Sequence, residues 1–286
     1  MRILILGGSG LLGSTLVRFL LKYNKIEIHA TYRAPFQAET VDKGAIRHFA
    51  DASDIQGFEK LIKKIKPDVI VNCIGHVKQR IGADKVVEVT HINSIFPHIL
   101  SEICAGQSAR LIHFSTDCVF SGNDGSYTEQ SPYDAQDVYG LSKALGEVKD
   151  QPHVLTLRTS IIGHAPTGTS SLMDWFLSSE GAIRGYQRMI FSGLPANEIA
   201  RVILLHILPD NSIHGLYNLA ASPISKFDLL VLAADIYEKS IEISPDTDVQ
   251  IDRSLIGTKF SEKTKYTADS WPNLIRSMRD FYRSTI

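Results

Sequence analysis

The sequence predicts an α/β protein, a doubly wound parallel sheet followed by a smaller C-terminal lobe. Three observations carry this. Up to about residue 160, short β-branched or aliphatic runs alternate with longer amphipathic segments, the pattern of repeated βαβ units. The runs "RILIL" (2–6) and "DVIVNCI" (68–74) are almost wholly apolar, as strands covered by helices on both faces must be. A glycine-rich turn, "GGSG" (7–10), joins the first run to the first amphipathic segment.

The elements follow in order. Strands are expected at 2–6, 26–32, 45–49, 68–74, 109–115 and 153–159, with helices near 11–23, 55–65, 86–105 and 138–150 between them. Past residue 160 the alternation loosens: "APTGTSS" reads as a loop, and helices are expected near 171–179, 195–208 and 225–238. Ser225 followed three residues later by Asp228 resembles a capping box and marks the start of the last of these.

Composition sets the outer limits. A chain of 286 residues that is 44% hydrophobic can bury a sizeable core, and its net charge of −1 gives no reason to expect nucleic acid or an anionic membrane as partner. The three cysteines, Cys73, Cys104 and Cys118, show neither disulfide-framework nor zinc spacing, which fits a reducing cytoplasm. The ten histidines are scattered, and His76, His91, His98 and His113 include no i,i+4 metal pair, so no metal site is expected. The apolar N-terminal run is cut by glycines and is not read as a secretory signal, and no apolar stretch of about twenty residues suggests a membrane span.

"GSGLLG" (8–13) is G-x-G-x-x-G, and Gly7, Gly10 and Gly13 also form G-x-x-G-x-x-G. Placed between a strand and a helix, this turn allows a pyrophosphate to rest on backbone N–H groups at a helix N-terminus. The backbone of Gly7, Gly10, Leu11, Leu12 and Gly13 is therefore assigned to a dinucleotide, and the first domain is read as a Rossmann fold. Residues 1–160 form this dinucleotide-binding domain. Residues 161–286 are read mainly as a substrate-binding lobe, with some elements returning to the first domain.

At the end of the second expected strand, "HATYRAPF" offers Arg33 where an NAD-specific turn would offer an acid. A guanidinium there pairs with a 2′-phosphate, which favours NADP(H) over NAD(H). Asp51, with Ala52 beside it, is placed either to accept a hydrogen bond from the adenine amino group or to serve as the N-terminal acid of the next helix.

Tyr139 and Lys143 in "VYGLSKALGE" are four residues apart and share one helix face. A phenol is a poor acid or base near neutral pH, and an adjacent ammonium is expected to lower its pKa toward the working range. In "HFSTDCVFSG", Ser115, Thr116 and Asp117 follow a strand end, the side of an open α/β sheet where ligands bind. The hydroxyls of Ser115 and Thr116 could each donate to a substrate carbonyl, or could simply form a strand-ending turn.

Together, the glycine turn, "STDCVFSG", "YTEQSPYDAQDVYGLSKALGE" and "RTSIIG" resemble, in order and spacing, the extended short-chain dehydrogenase/reductases of the dTDP-4-dehydrorhamnose reductase type. "SLMDWFL", "GLPANEIA", "YNLAA" and "DRSLIGTKF" are similar to that group's substrate lobe. The resemblance implies an NADPH-dependent reductase of the 4-keto group of a nucleotide 6-deoxyhexose, in which Thr116 polarises the carbonyl, Tyr139 donates the proton, and Lys143 tunes the tyrosine and binds ribose. It implies that Asn72, Cys73 and Ile74 line the cofactor, and that Asn93 supports a proton relay or braces its helix. Trp175 and Phe176 sit on an amphipathic helix and read as packing residues, or that helix edges the sugar site; Glu129, Asp134 and Asp137 form an acidic loop that reads as solvated surface, or, in a reductase of this group, would lie near the site's entrance. A nucleotide-sugar substrate and a homodimer are compatible with this group, as are two other readings of the same fold, a non-catalytic NADP-binding regulatory subunit and a sugar-nucleotide epimerase. Cys118 stands where the group carries tyrosine, and "NCIGHV" replaces a small-residue segment, so the sugar is left undefined.

Overall fold

The computed structural model describes residues 1–33, 44–77, 85–166 and 171–284. Of the expected "APTGTSS" loop, positions 167–170 lie outside the described residues. Seven strands form the central sheet: β1 (Arg2–Leu6), β2 (Glu27–Tyr32), β3 (Ile46–Phe49), β4 (Val69–Asn72), β5 (Arg110–Ser115), β6 (Val154–Arg158) and β7 (Gly215–Asn218). All pairings in this sheet are parallel, in the order β7-β6-β5-β4-β1-β2-β3. The order reverses between β1 and β4, and the crevice beyond the carboxyl ends of those two strands is the place where such sheets bind ligands.

Side-chain alternation accounts for both covers. Ile3 and Ile5 of β1 face one core, with Leu16 and Leu20 of the helix Leu11–Leu20 and Ile199 and Ile275 from the C-terminal half. Leu4 and Leu6 face the other, with Phe58, Ile62, Phe96 and Leu100. Both pairs are fully buried, which explains why the strand reads as an unbroken apolar run.

The six strands and the helices expected from sequence are present, most within two or three residues of the expected ends, with three differences. The segment expected as one helix over 86–105 is Val86–Thr90, a π-helical turn His91–Ile95, and Phe96–Gly106. The 195–208 segment divides the same way, into Ala196–Val202 and a π-helical turn at Ile203–Ile207. A one-residue slip of the helical phase between two short segments is lost within the ordinary scatter of the apolar pattern, so nothing in that pattern marks it. Third, "GLPANEIA" and "YNLAA", which resemble substrate-lobe segments, are among the C-terminal elements that return to the first domain: Gly215–Asn218 is the edge strand of the central sheet and Ala196–Val202 packs on Leu11–Leu20. Their apolar residues cover the first domain's core rather than a separate one.

The rest of the C-terminal half builds around short strands. Met189–Phe191 lies between Ile224–Ser225 and Ile251–Asp252, with Ser225 and Asp252 both opposite Ile190. Ala182–Tyr186 pairs with Glu242–Asp246. Ser225 caps the helix Lys226–Tyr237, accepting from the Asp228 amide at 2.9 Å and donating to its carboxylate at 2.6 Å, as the sequence suggests. Among the described residues, no helix is long and apolar enough to cross a membrane.

Candidate functional site

The glycine turn is tied down from three sides. Gly7 N–H donates to the Thr31 hydroxyl at 3.1 Å and Gly8 N–H to the Thr31 carbonyl at 2.9 Å, so β2 holds the turn from one flank. Gly7 has φ +81°, a left-handed conformation that side chains disfavour. A Cβ on it would touch Ile74 at 3.2 Å and the Cys73 backbone at 3.3 Å, which places the segment after β4 on the other flank. From below, the helix rises so closely that a Cβ on Gly13 would overlap the Gly7 carbonyl oxygen. At Gly10 the surroundings are open, with a single contact at 3.4 Å, and no side chain caps the Leu11–Leu20 helix there. The amides of its first turn, Leu11 and Leu12 among them, are thus available to an anion.

Arg33 is exposed directly after β2. Asp51 accepts from the Ser53 amide at 2.9 Å and hydroxyl at 2.7 Å. These bonds hold its carboxyl below the usual range, with a smaller contribution from Arg33. Asp51 is not the cap of the next helix: Asp54 is, bonding the Gly57 amide at 2.9 Å. Ala52 is buried in the core. Asn72 is fully engaged, bonding His113 Nδ1 at 3.1 Å and accepting from the Ile74 amide at 3.1 Å.

Thr116 follows β5 and caps the short turn Asp117–Val119, accepting from the Cys118 amide at 3.1 Å and donating to Asp117 at 3.0 Å. Asp137 caps the helix Val138–Leu145 through the Gly140 amide at 2.9 Å. A Cβ on Gly140 would overlap the Cys118 carbonyl, so the absence of a side chain there lets the helix lie against the Thr116 turn. This sets the Tyr139 phenol beside the Thr116 turn, where Thr116, Asp117 and Cys118 all act on it.

One expectation about this pair is reversed. The Tyr139 phenol is pushed up, not down: burial dominates, the neighbouring Cys118, Asp117 and Asp137 add to it, and the Thr116 hydrogen bond opposes it. Lys143 is not among the groups that lower it, and its Nζ donates to the Phe114 carbonyl at 2.7 Å. Burial instead brings the Lys143 amine down to about 8, against the pull of Glu147. His113, fully buried nearby, is pushed far below its ordinary value by burial and by Lys143, and so adds no charge.

Asn93 acts as a brace. Its Oδ1 accepts from the His76 amide at 2.9 Å, and its Nδ2 donates to the Ser142 hydroxyl at 3.1 Å and the His76 carbonyl at 3.3 Å. The π-helical turn sets it between the two segments that flank the site. The acidic loop residues are engaged as well: Asp134 holds Ser121, and Glu129 accepts from the Asn218 amide at 2.8 Å. Trp175 is 42% exposed whereas Phe176 is buried, so the packing reading suits only Phe176.

Two groups of residues escape the sequence reading. Arg253 donates Nε to the Phe120 carbonyl at 2.8 Å. Lys226, half-buried, is held below its ordinary value by burial and by Arg253, against the pull of Asp117 and Cys118. The strands flanking Met189–Phe191 deliver both cations to the Thr116–Phe120 segment, a juxtaposition that no local pattern announces. The second group is Glu147 with Arg158 and Tyr133, of which only the i,i+4 spacing from Lys143 to Glu147 is visible in sequence; Ser115, read as a donor to substrate, gives its hydroxyl to Glu147 instead.

Comparison with known proteins follows this geometry. A family model described as the RmlD substrate binding domain matches residues 1–249. A probable low-salt glycan biosynthesis reductase of Haloferax volcanii, Agl14, is 33% identical over 62% of the chain and 60% of its own length. A dTDP-4-dehydrorhamnose reductase of Shigella flexneri is 29% identical over 56% of the chain and 51% of its own length. The chain thus spans about half to three-fifths of these curated relatives. The fold matches a crystal structure of a Bacillus anthracis dTDP-4-dehydrorhamnose reductase in complex with NADP at a TM-score of 0.80 and 19% identity, covering 98% of each chain.

Proposed function

Since the chain belongs to the RmlD substrate binding domain family, we propose that it is an NADPH-dependent reductase of the 4-keto group of a nucleoside-diphosphate 6-deoxyhexose. The observation that supports this reading is the end of β5, where the Lys143 amine reaches the Phe114 carbonyl and the Tyr139 phenol lies beside the Thr116 turn.

The residues present fit an NADP cofactor. The turn at Gly7, Gly10 and Gly13 leaves backbone free at an uncapped helix N-terminus, and Arg33 stands exposed for a 2′-phosphate. When bound, the nicotinamide supplies the hydride. The protein's own part is acid catalysis and orientation: the Tyr139 hydroxyl gives its proton to the keto oxygen, and Thr116 Oγ1 hydrogen-bonds the same oxygen as negative charge develops on it. The raised phenol suits this direction, because an acid that donates must first hold its proton. Lys143, charged below about pH 8, stabilises the tyrosinate left behind. Lys226 and Arg253 provide positive potential for a substrate diphosphate.

NADPH absorbance followed with a panel of nucleotide 4-keto-sugars tests the activity. Decay with any of them supports the reductase. Silence combined with tight NADPH binding overturns it in favour of a regulatory subunit. Arg33→Ala is expected to raise the KM for NADPH about tenfold while leaving that for NADH nearly unchanged. An unaltered NADPH/NADH preference removes Arg33 from the cofactor site. Lys226→Met is expected to raise the KM for the nucleotide sugar several-fold with kcat largely retained, measured by steady-state kinetics at saturating NADPH.

A further inference from the structure

Tyr139, Lys143 and Glu147 follow one another at i, i+4 and i+8, so the line that carries the proton machinery ends on a carboxylate. That carboxylate is 5% exposed and Arg158 is wholly buried. Their contact is bidentate, Nε to Oε1 at 2.8 Å and Nη2 to Oε2 at 2.9 Å. Ser115 donates its hydroxyl to Oε1 at 2.7 Å, and the Tyr133 hydroxyl donates to Oε2. The guanidinium lies 5.0 Å from the centres of both the Phe120 and Tyr133 rings.

A buried ion pair is a poor device for stability, because packed apolar groups of the same volume serve as well. The carboxylate's other neighbours suggest a different use. Ser115 is the last residue of β5, immediately before Thr116, and Phe114, which accepts from Lys143, precedes it. We propose that Glu147 is a positioning residue: fixed by Arg158, Tyr133 and Ser115, it keeps the Lys143 ammonium charged and the β5 end in place for proton transfer. This rests on the reductase reading for its catalytic consequence, but not for its electrostatic one.

The groups around the pair set the sign. Lys143 faces Glu147, just past the end of its own helix, and from β5 the Phe114 carbonyl and the neutral His113. Glu147 faces Arg158 from β6, Tyr133 from the preceding loop, and Lys149, whose Nζ is 4.0 Å away. Glu147 is the charge that raises the Lys143 amine against burial. Its removal therefore lowers that amine further, and the ammonium is lost at a lower pH.

Lys143 is titrated by NMR of lysine Nζ in the protein without substrate, with Lys143→Met assigning the signal, and kcat/KM is followed against pH. Glu147→Gln is expected to move the Lys143 midpoint and the alkaline limb of kcat/KM down by about one pH unit. From a midpoint near 8, one unit means about a threefold loss at pH 7.5 that is recovered near pH 6. Glu147→Asp, which keeps the charge, is expected to restore the parental midpoint. Because Glu147→Gln strands a buried guanidinium and could fail to fold, the double variant Glu147→Gln, Arg158→Met removes both charges and is expected to shift the midpoint in the same direction by a smaller amount, since the opposing cation goes too. A folded double variant with an unmoved Lys143 midpoint overturns the proposal, as does lower activity with an unmoved alkaline limb. A parental protein that reduces no nucleotide keto-sugar overturns the reductase reading instead, and the Lys143 titration still decides the role of Glu147.

Discussion

Tyr139→Phe is expected to lower turnover on a nucleotide keto-sugar by about a hundredfold or more, with NADPH affinity within a few-fold of the parent. The substitution removes one hydroxyl and leaves the ring, the Asp137 cap and the Gly140 approach to Cys118 intact. Thr116 would still bond the keto oxygen in the proposed mechanism, so substrate binding should persist while the proposed proton donor is gone. The proposed cofactor contacts, on the glycine turn and strand ends, are untouched by the substitution. Steady-state kinetics with a fluorescence titration of NADPH check both halves, and a variant reducing substrate at the parental rate removes Tyr139 as the acid. The pH dependence of the parent follows from the same pair. The phenol is held above its ordinary value, so it stays loaded across the neutral range. Lys143 carries its charge below about 8 and loses it above, so reduction is expected to be level toward neutral pH and to fall as pH rises through that value.

Gly13→Ala has the second largest expected effect. Its Cβ would overlap the Gly7 carbonyl oxygen and stand 2.8 Å from the Gly7 carbonyl carbon. Both are backbone atoms, so no rotamer change relieves the clash, and the strand-to-helix turn must open. A loss of about 3 kcal/mol is expected, at the upper end for overpacking, together with loss of NADPH binding. Gly10→Ala separates the two effects. Its Cβ meets only the Gly7 carbonyl oxygen, at an ordinary 3.4 Å, so the fold should hold while a methyl group now stands where a pyrophosphate approaches. Thermal denaturation with NADPH titration of both variants is the check: an unchanged Tm for Gly13→Ala overturns the packing argument, and unchanged affinity for Gly10→Ala moves the cofactor off this turn.

The legible parts of the molecule share a property: their geometry is settled within a few residues. Strand β1 reads as apolar on both faces because both faces are covered, and Gly7, Gly10 and Gly13 read as a cradle because one turn contains them. Tyr139 and Lys143 fall on one helix face at four-residue spacing, and Ser225 announces its helix by capping it. The π-helical turn at His91–Ile95 was not legible, because a one-residue slip of the helical phase between two short segments is lost within the ordinary scatter of the apolar pattern. The Asp54 cap could have been read, since an Asp directly before a helix start is a cap signal, whereas the sequence reading considered only Asp51 and left it open between an adenine contact and a helix N-terminal acid.

The sequence by itself determined the fold class, the order of the first six strands and the Tyr139/Lys143 pairing on one helix face, since periodicity, turn chemistry and short spacings express local sterics, and the family resemblance singled out Thr116. Tertiary structure alone decided that Gly215–Asn218 completes the central sheet, that Lys226 and Arg253 reach the Thr116 turn, and that the Lys143 amine points to Phe114 while the Tyr139 phenol is raised. Those outcomes depend on burial and on partners supplied by distant segments. A charge's free energy is set by whatever surrounds it in space, which only the folded chain brings together.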